Sequence, residues 1–282
     1  MMNRYSAITV GILIVLLNHH SALSLEILLN QYQLCISDGE RALLVYRYGD
    51  VAFKPYVEQL FSWDGRNVVR DNVPDHIHHH GLMFALQVDD TTFWGEDEKA
   101  GKQIHQSFEK MEVNHEQARF SQRLQWHNPE GKILLHEKRT LTLRPEPDQQ
   151  AVILQWRSQC RPAGKTVVLT GSHYYGLGMR FSESMDAIGR FSNSANAEGQ
   201  IFRGEERLVD AEWCAYSIPG DIPLSITMYD HPSNPRPATW FTMAEPFAYL
   251  SATMRYHEEK MTLKQNESLD LRYRVVVRGS QP

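Results

Sequence analysis

The sequence predicts an all-β fold, a large antiparallel β-sandwich with few short helices. Three observations predict it. Alternating apolar and polar runs recur along the chain, turn-rich clusters part them every 8–12 residues or so, and no sustained helical periodicity appears. No repeat of fixed period is visible, which disfavours a propeller. No low-complexity linker divides the chain.

The N-terminus carries a leader pattern. Arg4 supplies a positive start, Ala7 to Leu17 is an apolar run, and Ala22-Leu23-Ser24 is a small-x-small cleavage site. Residues 1–24 therefore read as a signal peptide, with a retained anchor as the alternative. The run is too short to span a bilayer comfortably, and no later segment has membrane-helix length, so no integral membrane segment is expected after its removal. An exported location, periplasmic or extracellular, follows. Removing 24 of 282 residues leaves 258, residues 25–282, enough for a single β-sandwich domain. That mature chain holds 28 basic and 34 acidic residues, a net charge of −6. A mildly acidic chain without a Lys/Arg block excludes nucleic acid as the expected partner and argues against a polybasic membrane contact. Cys35, Cys160 and Cys214 are widely spaced. One disulfide with one free thiol, or three thiols packed as small hydrophobes, are equally open.

Two hairpins are legible. Ala118 to Trp126 connects to Ile133 through His127-Asn128-Pro129-Glu130-Gly131. Ile133 to Leu143 then turns at Arg144 to Asp148 into Ala151 to Trp156. Thr166 to Thr170, Leu224 to Tyr229 and Leu269 to Val277 read as further strands, and Glu96 to Lys102 and Ser192 to Gly199 as polar loops.

Chemistry concentrates in Asp75-His76-Ile77-His78-His79-His80-Gly81, ahead of the apolar strand Gly81 to Val88. Each imidazole is an acid, a base or a metal ligand near neutral pH. Read as extended chain, the segment puts His76, His78 and His80 on one face and His79 on the other. His76 and His78 could then share a divalent metal ion, with Asp75 as third ligand or as the group that orients an imidazole. Without metal, His76, His78 and His79 are candidates for general acid/base catalysis, with Asp75 beside them. A structural cluster bonded to backbone carbonyls is the bland alternative.

Other stretches carry candidate substrate contacts. Trp94, in Phe93-Trp94-Gly95-Glu96, offers a flat apolar face with one donor. In Ser172 to Phe181, His173 precedes two glycines and Arg180 lies in an apolar strand, where a guanidinium needs a partner. Asp230-His231-Pro232-Ser233-Asn234-Pro235-Arg236-Pro237 is a stiff polar loop presenting His231, Asn234 and Arg236. Arg70 and His105 complete the set, although a lone histidine such as His105 is more often structural. The His-rich stretch, Arg180 and the Asp230–Arg236 loop are expected to line one concave face. No phosphate loop, Gly-x-Ser-x-Gly elbow or His-Glu-x-x-His is present, which removes nucleotide-dependent enzymes, α/β-hydrolases and helix-based zinc proteases.

Pro55-Tyr56, Val69-Arg70, Asp75-His76-x-His78-His79, Phe93-Trp94, Gly101 to His105, Tyr175 to Arg180, Asp230-His231-Pro232-x-Asn234-Pro235-Arg236 and the closing Leu271 to Val277 follow one another along the chain. In that order they resemble an exported bacterial family catalogued as methane oxygenase PmoA, over nearly the whole mature chain. Family members often carry Arg or Lys where this chain has His80. The resemblance by name implies a metal-dependent oxidoreductase. Length and strand pattern are similar to the galactose-mutarotase-like supersandwich, which implies a carbohydrate epimerase, lyase or hydrolase. The leading expectation is an exported enzyme acting on a carbohydrate or other polar small molecule by histidine acid/base chemistry. A non-catalytic carbohydrate-binding protein and a metal-dependent oxidoreductase are its competitors.

Overall fold

The computed structural model describes residues 23–71, 73–74 and 76–279. The segment expected to be a leader, residues 1–24, lies outside them but for its last two residues, as does Asp75. Among the described residues helix is confined to two 3-10 turns, Pro147–Gln149 and Glu183–Met185. No helix among them is long and apolar enough to cross a membrane.

Strands gather into three antiparallel sheets. The largest has ten strands, ordered Leu25–Leu29, Gln33–Asp38, Arg41–Arg47, Tyr56–Leu60, Leu82–Ala85, Gly176–Arg180, Tyr249–Thr253, Thr239–Met243, Glu206–Asp210 and Gln200–Ile201. The second has eight: Arg190–Asn193, Trp213–Ile218, Leu224–Asp230, Leu269–Gly279, Ala151–Pro162, Ile133–Glu146, Ala118–His127 and Lys102–Val113. Both expected hairpins are in it. Asn128 to Gly131 closes one, and Glu146 pairs with Ala151 across the other. The third sheet, Met261–Leu263, Val167–Thr170, Gln87–Val88 and Thr91–Thr92, holds the strand expected at Thr166 to Thr170. The expected strand Gly81 to Val88 divides between the first and third sheets. Ser192 and Asn193, the start of the expected polar loop Ser192 to Gly199, belong to the strand Arg190–Asn193.

Register decides which side chains face the core. Phe84, Leu177, Ala252 and Trp240 stand opposite one another across four strands of the ten-stranded sheet. Phe84 meets Trp126 of the eight-stranded sheet, with ring centroids 5.8 Å apart, so this row faces the sandwich interior. The neighbouring row, Met83, Gly178, Ser251 and Phe241, therefore faces outward. Loops cover that outer face, so its residues are buried as well.

Between the two large sheets lies a complete polar network. Arg139, fully buried, donates to both carboxylate oxygens of Glu137 (2.9 Å each), to Gln103 (2.7 Å), to Tyr46 (3.1 Å) and to the Pro55 carbonyl (2.8 Å). Glu137 also accepts from Trp126 (2.9 Å) and Ser158 (2.6 Å). Burial pushes the Tyr46 phenol up to about 12. Tyr46 donates to Gln122, which in turn meets Nδ1 of His105 at 2.7 Å.

All three cysteines are free thiols, Cys160 and Cys214 buried and Cys35 half-buried. Burial pushes Cys214 up to about 12, so it stays a protonated, inert hydrophobe.

Candidate functional site

The histidine stretch is a pair of turns, not the extended strand its alternation suggested. Pro74 has no backbone donor and a fixed φ suited to a turn. His76 N donates to the Val73 carbonyl (3.0 Å), and His79 N to the His76 carbonyl (2.9 Å). The turns gather three rings that a strand would have parted. His76 stacks on His79 with centroids 4.7 Å apart, and His78 stands 4.6 Å from His79 and 5.7 Å from His76. His79 is buried, while His76 and His78 are half-buried.

His80 departs from this group. Its Nδ1 lies 2.7 Å from Asp71 and its Nε2 2.8 Å from Glu96, while its ring stacks on Tyr56 at 3.9 Å. An imidazole with a carboxylate at each nitrogen is satisfied when both nitrogens donate, so it is held as a cation. Burial opposes that charge, but the two hydrogen bonds outweigh it and raise the His80 pKa. Lys54, fully buried, donates to Glu96 (2.6 Å) and to the Trp94 carbonyl (3.1 Å). Burial pulls the Lys54 pKa down, with Glu96 resisting. Burial raises Glu96, but His80 and Lys54 together bring its pKa below the ordinary carboxylate value. These charges act on the neighbouring triplet. Burial first, and then the Lys54 ammonium, lower the pKa of His78 and keep it neutral at pH 7.

The triplet stands at the rim of the outer face of the ten-stranded sheet. His79 stacks on Tyr249 (5.1 Å), and both His76 and His79 meet the edge of Phe247. Arg180 pairs with Tyr249 in the sheet, and its guanidinium lies 3.2 Å over the Phe247 ring. Gly178 is required beside them, because a Cβ there would collide with the Tyr249 hydroxyl and crowd Trp94. Tyr249, Ser251 and Thr253 alternate along one strand and so share the outer face. Their hydroxyls, and Trp94 Nε1, are buried and make no hydrogen bond of good geometry among the described residues. Ser251 is the hydroxyl neighbour of Tyr249, too weak a partner to offset the burial that raises the phenol well above its ordinary pKa.

Other candidate residues are distributed unevenly. Arg70 borders the site, because its backbone N donates to the Arg180 carbonyl (3.0 Å), but its guanidinium faces Glu183 (3.4 Å) and Asp186 (3.8 Å). Trp94 is no open stacking wall. It is 3% exposed and one face is covered by Tyr175, with centroids 5.1 Å apart and planes 8° apart. His173 lies on the same outer face, its Nε2 3.3 Å from Glu206, under Phe202 at 3.6 Å. His105 belongs to the interior network on the other side of the sheet.

The Asp230–Arg236 loop does not converge with the triplet. Asn234 donates to Asp230 (2.6 Å) and the Arg272 carbonyl (2.9 Å), and Arg236 to the carbonyls of Met254 (3.1 Å) and Glu259 (2.9 Å). His231 accepts from Ser233 within the loop. Met254 follows the far end of the strand that Tyr249 begins, five residues or ~16 Å away. The loop's polar atoms hold strand ends together, and among the described residues the face expected from the sequence brings together the histidines and Arg180.

Among the described residues no group of three or more His, Cys, Asp or Glu side chains is arranged to hold a metal ion. Asp75, the third ligand that the sequence offered beside His76 and His78, lies outside the described residues. Lys54, Asp71, Glu206, Phe247 and Tyr249 were missed in the sequence. Each sits in an unremarkable run, and only the fold brings it to the site.

The sequence profile of a family of unknown function, DUF6807, matches residues 33–281, and the chain belongs to that family. The description carries no activity, and the oxygenase name is not part of it. No curated protein matches the chain. Among solved structures, a family 36 glycoside hydrolase, the α-galactosidase AgaB of Geobacillus stearothermophilus, aligns with a TM-score of 0.54 at 10% identity, over 90% of this chain and 41% of the enzyme. An α-galactosidase of Lactobacillus brevis aligns at 0.46 and 7% identity, over 93% and 40%. A galactose mutarotase related enzyme of Lactobacillus acidophilus aligns at 0.36 and 8% identity, over 90% and 97%. This chain thus spans about 40% of the length of the two α-galactosidases. At such identities the likeness is one of fold.

Proposed function

We propose that this chain is an exported enzyme that acts on a carbohydrate or a related polyhydroxylated small molecule by histidine acid/base chemistry, of epimerase, lyase or hydrolase type. The observation that carries this reading is the histidine triplet at the rim of a sheet face whose buried hydroxyls and indole N–H make no hydrogen bond of good geometry among the described residues. Leaving such groups unpaired is costly. A hydroxyl-rich ligand offers each of them a donor or an acceptor.

His78 is the base in this reading. It is half-buried and neutral, as a proton acceptor must be, because burial and Lys54 pull its pKa down. His76, with its ring 5.7 Å away, is the second proton carrier. Arg180 supplies a fixed positive charge at the same rim, where it favours negative charge developing on a substrate oxygen. A non-catalytic binder would present an open aromatic platform, but Trp94 is buried beneath Tyr175. The leader pattern supports export, which N-terminal sequencing of the mature protein tests.

The test is a screen of mono- and oligosaccharides by NMR for anomeric exchange, unsaturated products and new reducing ends. His78→Ala is expected to lower turnover by about 10²–10⁴-fold while the melting temperature stays unchanged. A variant that turns over its substrate like the wild type removes His78 from the mechanism.

A further inference from the structure

Away from the histidine triplet, two grooves run over the small four-stranded sheet. One, of about 610 Å³, is lined by Gln87, Thr170, Gly171, Tyr256, His257 and Lys260 among others. The second, of about 440 Å³, extends past Thr91, Lys99 and the Asn128–Glu130 turn. Asp89, Asp90 and Lys165 border both, so the two grooves adjoin and together make a trough of two lobes. Asp89 is fixed at its middle. It takes a left-handed φ of 51° in the turn between Gln87–Val88 and Thr91–Thr92, accepts from Val168 N (2.9 Å) and pairs with Lys165 (3.1 Å).

Three features define what fits. The first is length, since two joined lobes suit a chain better than a single ring. The second is charge. The carboxylates of Asp89, Asp90, Glu98 and Glu130 are matched by the ammonium groups of Lys99, Lys132, Lys165 and Lys260, which selects neither an anion nor a cation. The third is unspent hydrogen bonding at the inner end. Thr170 Oγ1 and both ring nitrogens of His257 are buried without a hydrogen bond among the described residues, with a Glu258 carboxylate oxygen 3.5 Å from His257 Nε2. Burial lowers the His257 pKa, so the ring is a neutral donor and acceptor.

The inner end also points toward the site already described. The His257 ring lies 6.0 Å from that of His173, which sits on the outer face of the ten-stranded sheet with Glu206. Gly171 closes the contact, because a Cβ there would meet the Tyr175 ring that stacks on Trp94.

We propose that the trough binds an uncharged, hydroxyl-rich chain, an oligosaccharide of several units, with its inner unit at Thr170 and His257. The proposal rests on reading the ligand as a carbohydrate. It makes the substrate an oligomer whose remote units are held by the trough.

The test is saturation-transfer NMR and calorimetric titration of the full chain with uncharged gluco-, manno-, galacto- and xylo-oligosaccharides of roughly four to six units, each beside its own monosaccharide. One series is expected to bind at least about tenfold more tightly as oligomer than as monomer. Thr170→Val, which keeps shape, and Lys260→Ala, which is exposed, are each expected to weaken the oligomer about five- to tenfold. Equal binding of oligomer and monomer, wild-type affinity in both variants, or no binding in any series overturns the proposal. His78→Ala separates the two readings. Oligomer binding that survives alongside lost turnover supports both. Unchanged turnover removes His78 as base and leaves the trough standing. Monosaccharide turnover without oligomer binding removes the trough and leaves the base standing.

Discussion

Ser158 and Ser251 are both fully buried in β-strands, one inside the sandwich and the other on the outer face of the ten-stranded sheet. Ser158 accepts from Trp156 (2.9 Å) and donates to Glu137 (2.6 Å). Ser251 completes no hydrogen bond of good geometry among the described residues. The same contrast holds for their surroundings. Around Ser158, Glu137 and Arg139 satisfy one another and their neighbours. Around Ser251, the polar atoms of Trp94, Tyr249 and Thr253 are left over. A polar cluster that the chain completes by itself serves the fold, whereas one that it leaves incomplete is where a ligand has something to offer.

The largest effect that can break this comparison is at Arg139. Arg139→Met strands the Glu137 carboxylate in the interior and is expected to cost about 3–5 kcal/mol, read by urea unfolding. Replacing both partners, Glu137→Leu with Arg139→Met, should recover part of that loss, because no uncompensated charge remains. A single variant as stable as the wild type would show that the interior network is not what holds the two sheets in register.

The two serines give the next test. Ser158→Ala leaves Glu137 one donor short and should cost about 1–3 kcal/mol. Ser251→Ala removes a hydroxyl that has no good partner and should change stability by no more than about 0.5 kcal/mol. The same variant should weaken binding of whatever carbohydrate the screen identifies. Equal losses of stability at both positions would erase the distinction between the faces.

The triplet sharpens the comparison within a single turn. His79 is buried against Tyr249, Phe247 and His76, so His79→Ala should lower stability by about 1–3 kcal/mol. His78 is half-buried and its removal should be near neutral for unfolding. Thermal melts of both variants need no substrate.

Much of the fold was legible because strands long enough to alternate announce themselves. The hairpins around Asn128–Gly131 and Pro147–Gln149, and the closing strand Leu269–Gly279, follow from patterns of ten or so residues. The small sheet was legible only in part: Val167–Thr170 was expected as a strand, but Gln87–Val88 and Thr91–Thr92 are two residues each, too short to announce a sheet of their own. At the site, residue types were readable and partners were not. A strand reading of Asp75 to His80 grouped His80 with His76 and His78, whereas the turns at Pro74 and His76 bring His79 into the triplet and send His80 to Asp71 and Glu96. The Asp230–Arg236 loop looked functional for the same reason that it is structural: Asp, Asn and Pro build turns whether or not a ligand is near. Long-range partners such as Lys54 and Tyr249 have no local signature at all.

The smallest expected effect is a pH dependence at His80. Its folded pKa is raised above the ordinary imidazole value of 6.5, so its ion pairs stabilise the native state fully below that value and lose their effect as pH rises through the folded pKa. Glu96 behaves in the opposite sense. Its pKa is depressed, so its contribution is present above the ordinary value of 4.5 and is lost as pH falls through the folded pKa. The gap in melting temperature between wild type and His80→Gln should therefore be widest between these two ordinary values and shrink toward alkaline pH. For a chain of this length, about 1 kcal/mol corresponds to roughly 2–4 °C, within reach of calorimetry. His80→Lys keeps a cation between Asp71 and Glu96 at every pH in this range, so the alkaline decline should disappear in that variant while it persists in the wild type. A gap that stays constant with pH in His80→Gln would mean that stacking on Tyr56, and not charge, is what His80 contributes.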